Sequence, residues 1–128
     1  MRSDKGHSVE QLKLRTKQFA LRIVRLFKAL PRQEEARVIG RQVLRSGTSV
    51  GANYRAVCRA RSPKEFVAKM GVVVEEVDET VFWLELLVEA GTVPAAKLAG
   101  LMREANELLA MFAAAYHTAR GSRRRDTQ

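Results

Sequence analysis

The stretch from Gln42 to Phe66, QVLRSGTSVGANYRAVCRARSPKEF, decides the fold. It is crowded with small and polar residues, yet it keeps helical spacing. An α-helix turns about 100° per residue, so residues three and four apart share a face. Extended back to Arg37, the wheel collects Arg37, Arg41, Arg45, Arg55 and Arg59 within roughly 80° of one another. Ile39, Val43, Val50, Tyr54 and Val57 fall on nearly the opposite side. Between them runs a narrow polar seam of Gln42, Ser46, Ser49 and Asn53. Gly40, Gly47 and Gly51 lie beside the apolar face. Each costs about 1 kcal/mol in a helix interior relative to alanine, so three of them imply a second helix packed very close. Ser62-Pro63-Lys64-Glu65 then predicts a new helix: Ser62 as N-cap, Pro63 in the first turn and Glu65 closing a capping box.

The same periodicity extends outward in both directions. Leu12, Phe19, Ile23, Leu26 and Leu30 share a face, and Pro31 ends that helix because the residue before proline disfavours the helical region. Glu34 and Glu35 suit the positive end of the next helix dipole. Phe66, Met70, Val73, Val77, Val81, Leu84 and Val88 recur every three or four residues, and Gly91 is placed to cap the end. After a turn at Thr92-Val93-Pro94, an apolar face follows of Leu98, Leu101, Ala105, Leu108, Leu109, Phe112 and Tyr116. The predicted helices span about residues 9–30, 33–60, 63–90 and 94–119. A disordered N-terminus, residues 1–8, and a mobile basic tail, residues 120–128, are expected to flank them. Four long helices joined by short turns imply an all-α, antiparallel, up-down-up-down four-helix bundle.

Composition sets the class. The chain has 128 residues, 46% of them hydrophobic, enough for one domain with a modest core. Its single cysteine, Cys58, excludes an intrachain disulfide and fits a reducing compartment. The N-terminus MRSDKGHSVEQ lacks the apolar segment of a signal peptide, and no apolar run approaches a membrane span. A cytoplasmic location and no membrane partner are expected. The formal net charge is +9, which favours a polyanionic partner such as RNA or DNA, or an anionic surface, with solubility alone as the alternative. The third helix is the exception, with seven acids against Lys64 and Lys69.

Arg45-Ser46-Gly47-Thr48-Ser49-Val50-Gly51-Ala52-Asn53-Tyr54, with Arg61-Ser62 and Glu65-Phe66, resembles the signature of the small four-helix-bundle proteins encoded in intervening sequences of large-subunit ribosomal RNA genes. That family is related to the accessory variability determinant of diversity-generating retroelements. The similarity extends from about Phe19 to Tyr116 and includes Glu79 to Leu87 and Glu89-Ala90-Gly91. Where many members carry a glutamate just after the Asn-Tyr pair, this chain has Arg55-Ala56, so its second helix is more basic than the pattern. The resemblance implies a ring-like homopentamer. It also implies association with ribosomal RNA intervening sequences, or an accessory role beside a reverse transcriptase.

The arginine row is the leading functional candidate. A guanidinium can bond two phosphate oxygens at once, and a one-sided row would track a nucleic-acid backbone. Arg37, Arg41, Arg45, Arg55 and Arg59, with Arg123, Arg124 and Arg125 of the tail, are the expected contacts to RNA or an RNA–DNA intermediate. The competing account is that the row is solvated, or meets the acidic third helix within the chain or in a neighbouring subunit. The chain would then be an oligomeric interaction module. The Gln42-Ser46-Ser49-Asn53 seam reads as packing or interface, because buried polar groups need partners. Trp83 and Phe82 read as core or interface, and Cys58 as buried filler. The two histidines, His7 and His117, lie near opposite termini, away from the acids of the third helix, so neither a di-metal site nor any cofactor is expected. No phosphate loop, dinucleotide fingerprint or nucleophile elbow is present, and a non-enzymatic role is expected.

Overall fold

In the computed structural model, which describes residues 7–127, four helices account for nearly all of the chain. They are α1 (Val9–Ala29), α2 (Glu34–Cys58), α3 (Pro63–Glu89) and α4 (Ala95–Thr127). The expected disorder of residues 1–8 falls mainly outside the described residues. Ser8 itself is ordered as the N-cap of α1. Its hydroxyl accepts from the Gln11 amide at 3.1 Å, and its own amide donates to Gln11 Oε1 at 2.8 Å.

The helix ends follow the local chemistry. Leu30 leaves the helix in an extended conformation just before Pro31. Ser62 caps α3 by accepting from the Glu65 amide at 3.1 Å. The reciprocal half of the predicted capping box is not formed: the Glu65 carboxylate lies toward Lys69, 4.0 Å away, one turn further on. Gly91 takes a φ of +75°, which L-residues with a Cβ rarely adopt. The turn then closes with the Thr92 and Val93 amides both donating to the Leu87 carbonyl.

The fourth helix does not stop at residue 119. Its backbone stays helical to Thr127, through the segment expected to be a tail. Gly121, in that segment, does not end the helix, since one glycine costs only about 1 kcal/mol. No proline follows it, and it does not take a positive φ.

Antiparallel packing shows in the pairing of residue numbers. A Cβ placed on Gly47 would meet Ile23 Cγ1 at 2.7 Å, and one on Gly51 would meet Thr16 Oγ1 at 3.2 Å and the Thr16 carbonyl carbon at 3.4 Å. As α2 advances, α1 recedes: its Ile23 side chain lies on Gly47 and its backbone at Thr16 comes close to Gly51. The close helix expected from the glycine spacing is therefore α1. Across the other neighbours, Ser46 meets Thr80 and Gly71 faces Tyr116. The core runs the length of the bundle through Phe19, Ile23, Val43, Val50, Val73, Val77, Leu84, Leu87, Leu108 and Phe112. Tyr54 of α2 reaches across to Phe112 of α4, ring centroids 5.3 Å apart. Three neighbouring pairs, α1–α2, α2–α3 and α3–α4, pack extensively, whereas α1 and α4 touch far less.

Candidate nucleic-acid interface

The α2 helix carries its arginines outward because its opposite face is committed to α1 and α3. Arg37, Arg41, Arg45, Arg55 and Arg59 are all exposed. The structure divides them. Arg45 reaches over to α3, where Nη1 lies 3.3 Å from Glu76 Oε2 and Nη2 bonds Glu79 Oε2. Its Nε also donates to Gln42 Oε1 at 3.4 Å. The Glu79 hydrogen bond, ahead of the nearby negative charges, holds the Arg45 guanidinium above its ordinary pKa. Glu79 in turn accepts from Trp83 Nε1 at 2.9 Å. That indole hydrogen bond, followed by the bond from Arg45, holds the Glu79 carboxyl below the usual range.

Among the described residues, no acid lies within ion-pair distance of Arg37, Arg41, Arg55 or Arg59. The predicted row is thus two pairs of unneutralised arginines. At a rise of about 1.5 Å per residue, Arg41 and Arg55 stand about 21 Å apart along the axis. Arg123, Arg124 and Arg125 fall in the last turns of α4, where the structure describes the backbone alone.

The basic surface also continues where the sequence had not singled it out. A groove of about 340 Å³ at the α1–α2 turn is lined by Phe27, Lys28, Leu30, Pro31, Arg32 and Arg37. Lys28 and Arg32 therefore join Arg37 at one end of the row. The sign of this in the sequence is the pair of cations bracketing Pro31, across a turn too short to separate them.

The polar seam satisfies itself. Ser46, fully buried, bonds the Gln42 carbonyl at 2.9 Å. Ser49 bonds the Ser46 carbonyl at 2.8 Å, and Asn53 Nδ2 bonds the Ser49 carbonyl at 2.9 Å. Thr80 of α3, equally buried, places its hydroxyl 2.8 Å from Ser46 Oγ and 2.7 Å from the Glu76 carbonyl. This pair of hydroxyls sets α2 against α3. The chain's signature residues Ser46, Gly47, Val50 and Tyr54 are all buried. Burial raises the Tyr54 phenol above its ordinary pKa, with the adjacent Cys58 thiol adding to the effect. What the signature encodes is close packing.

No acid cluster of α3 gathers with histidine or cysteine into a group of three that could hold a metal, among the described residues. Glu76 and Glu79 are used instead to grip Arg45. None of the described helices is long and apolar enough to cross a membrane.

The α2 packing and the arginine face turned to solvent define a small all-α four-helix-bundle protein. The chain belongs to the 23S rRNA-intervening sequence protein family, which matches it over residues 11–114. It is similar in structure to a protein of unknown function from the S23 ribosomal protein family of Bacteroides thetaiotaomicron. The TM-score is 0.76 and the identity 33%, over 81% of this chain and 96% of that one. No curated protein matches the chain. Neither the family's description nor that structure's names a catalytic activity.

Proposed function

We propose that this protein is a non-enzymatic, cytoplasmic binder of structured RNA that engages phosphates through the outer face of α2. The observation that carries this is the arrangement of Arg37, Arg41, Arg55 and Arg59: exposed, on one side of one helix, and with no acid in reach among the described residues. Arginines with that geometry meet successive phosphates without reading bases, so binding is salt-sensitive and poor in sequence preference. Family membership supports a ribosomal RNA intervening sequence as the natural partner. An RNA–DNA intermediate beside a reverse transcriptase is the alternative polyanion. Arg123, Arg124 and Arg125 would extend the contact at the far end of the bundle.

The test is fluorescence anisotropy of a labelled structured RNA across a salt series. The wild type is expected to bind tightly at low salt and to lose affinity steeply. Replacing Arg41, Arg55 and Arg59 with glutamine should reduce the slope of log affinity against log salt by about one per phosphate contact removed. An unchanged slope in a folded variant would overturn the role of the row.

A second reading, assembly through self-association, is favoured by a different observation. Leu14 and Leu21, one face of α1, are 57% and 47% exposed, and Phe82 on α3 is 52% exposed. Large apolar side chains left outside a full core suit contact with further copies, for which the resemblance implies a homopentamer. Light scattering on wild type and on Leu14→Glu/Leu21→Glu separates the readings. A monomeric wild type removes the assembly reading and leaves RNA binding untouched.

A further inference from the structure

α1 and α4 splay apart toward one end of the bundle, and a groove of about 450 Å³ opens between them. That volume lies within the range of about 300–1,000 Å³ usual for small-ligand sites. Leu26, Leu30 and Pro94 contribute its accessible apolar surface, and Arg22, Arg25 and Lys97 its charge. No acid lines it. Glu10 is the one acid of α1, at the helix's opposite end, and the first acid of α4, Glu104, is held by Arg15. The three cations line one groove, and none of them is in an ion pair among the described residues, which leaves them open to a bound anion.

Two details sharpen the fit. Arg22 folds its guanidinium onto α4 at Gly100, where a Cβ would come within 3.3 Å of Nη2. Its fork thereby reaches from α1 to α4. The opposite wall includes the first turn of α4, and α4 has no acid there, whereas α1 and α3 each have one and α2 has two. The positive end of a 33-residue helix thus adds to the field of the side chains.

We propose that this groove binds a nucleoside monophosphate unit. The phosphate sits among Arg22, Arg25 and Lys97, and the base lies over Leu26, Leu30 and Pro94. An apolar floor beside three cations suits a ligand with a flat body and a doubly charged end. Arginine can serve both parts, by forked hydrogen bonds to phosphate and by stacking on a base. α2 contributes no residue to the groove, so the proposal stands apart from the arginine face of that helix. The unit could be a free nucleotide or the phosphorylated end of a strand.

The experiment is an anisotropy titration with AMP carrying a fluorescent group on its ribose. Saturable binding is expected, displaced by AMP and not by adenosine. Arg25→Gln with Lys97→Gln, both at exposed positions, should weaken it about tenfold or more. Ala29→Trp, also exposed and on the groove's rim, should block it without removing charge. Glutamine replacement of Arg41 and Arg55 should leave it unchanged, which separates this site from the α2 face. A 5′-phosphorylated oligoribonucleotide that competes better than AMP, and better than its 5′-hydroxyl form, identifies a strand end as the source. AMP competing as well or better identifies a free nucleotide. Absence of saturable binding, equal competition by adenosine, or binding undiminished in both groove variants would overturn the proposal.

Discussion

Two arginines of this bundle are each gripped by two glutamates of another helix, yet the two grips carry different weight. Arg15 of α1 holds Glu104 of α4 through two parallel bonds, Nε to Oε2 and Nη2 to Oε1, both 2.7 Å, with Glu107 at 3.1 Å from Nη2. Its side chain is 22% exposed and that of Glu104 18%. The Glu104 hydrogen bond is the first cause that raises the Arg15 guanidinium above its ordinary pKa. Arg45 grips Glu76 and Glu79 from a position 49% exposed. Arg15 joins the one neighbouring pair whose backbones seldom approach closely, while Arg45 decorates a pair already locked by core packing and by Ser46 and Thr80. The same pairing chemistry is a closure in one place and an ornament in the other. What decides is the amount of packing already present and the water around the pair.

The largest expected effect is therefore at Arg15. Arg15→Ala leaves Glu104 and Glu107 facing each other without a counter-charge and should destabilise the fold by about 2 kcal/mol in urea denaturation. A loss no greater than that of an exposed substitution would erase the contrast. Arg45→Gln should change stability by no more than about 0.5 kcal/mol, as exposed pairs do. The cost at Arg15 should also survive added salt better than the cost at Arg45, because exposed charges are screened first.

The smallest effect is a matter of pH. The Glu79 carboxyl is depressed in the folded chain, so the folded state favours its charged form. Its contribution is present above the unfolded glutamate pKa of about 4.3 and fades as pH falls through the lower native value. Trp83→Phe removes the leading cause and should flatten that acid-side loss slightly, with stability near neutral pH little altered. Urea midpoints between about pH 3 and 7 would show it.

Much of the fold is written in the periodicity. The apolar residues chosen by helical spacing are buried or packed against the core, and Ser8, Pro31, Ser62 and Gly91 mark four boundaries by their own stereochemistry. Thr16 and Thr80 escape this logic. Both are fully buried; Thr16 turns its hydroxyl back to the Leu12 carbonyl, and the Thr80 hydroxyl is shared between Ser46 Oγ and the Glu76 carbonyl, which offsets the cost of burying them. A hydropathy pattern does not see that local bond. The candidate site was legible only as a face. A wheel puts Arg45 in line with Arg41 and Arg55, but whether it is neutralised depends on the register of α3, and that register is set by a hydroxyl contact between residues 34 apart. Arg15 likewise gave no signal, its partner lying 89 residues away.

The closure at Arg15 has a mechanical consequence. In an up-down-up-down bundle both chain ends lie at the same end, so tension applied to them pulls α1 away from α4. That seam has the fewest close backbone approaches of the four, and an ion pair bridges it. Under force the protein should not shear along its core but peel. α4 lifts first and the α1–α2 hairpin, interlocked at Gly47 and Gly51, yields last. The molecule is built as a hinged book, with a salt clasp where its covers meet.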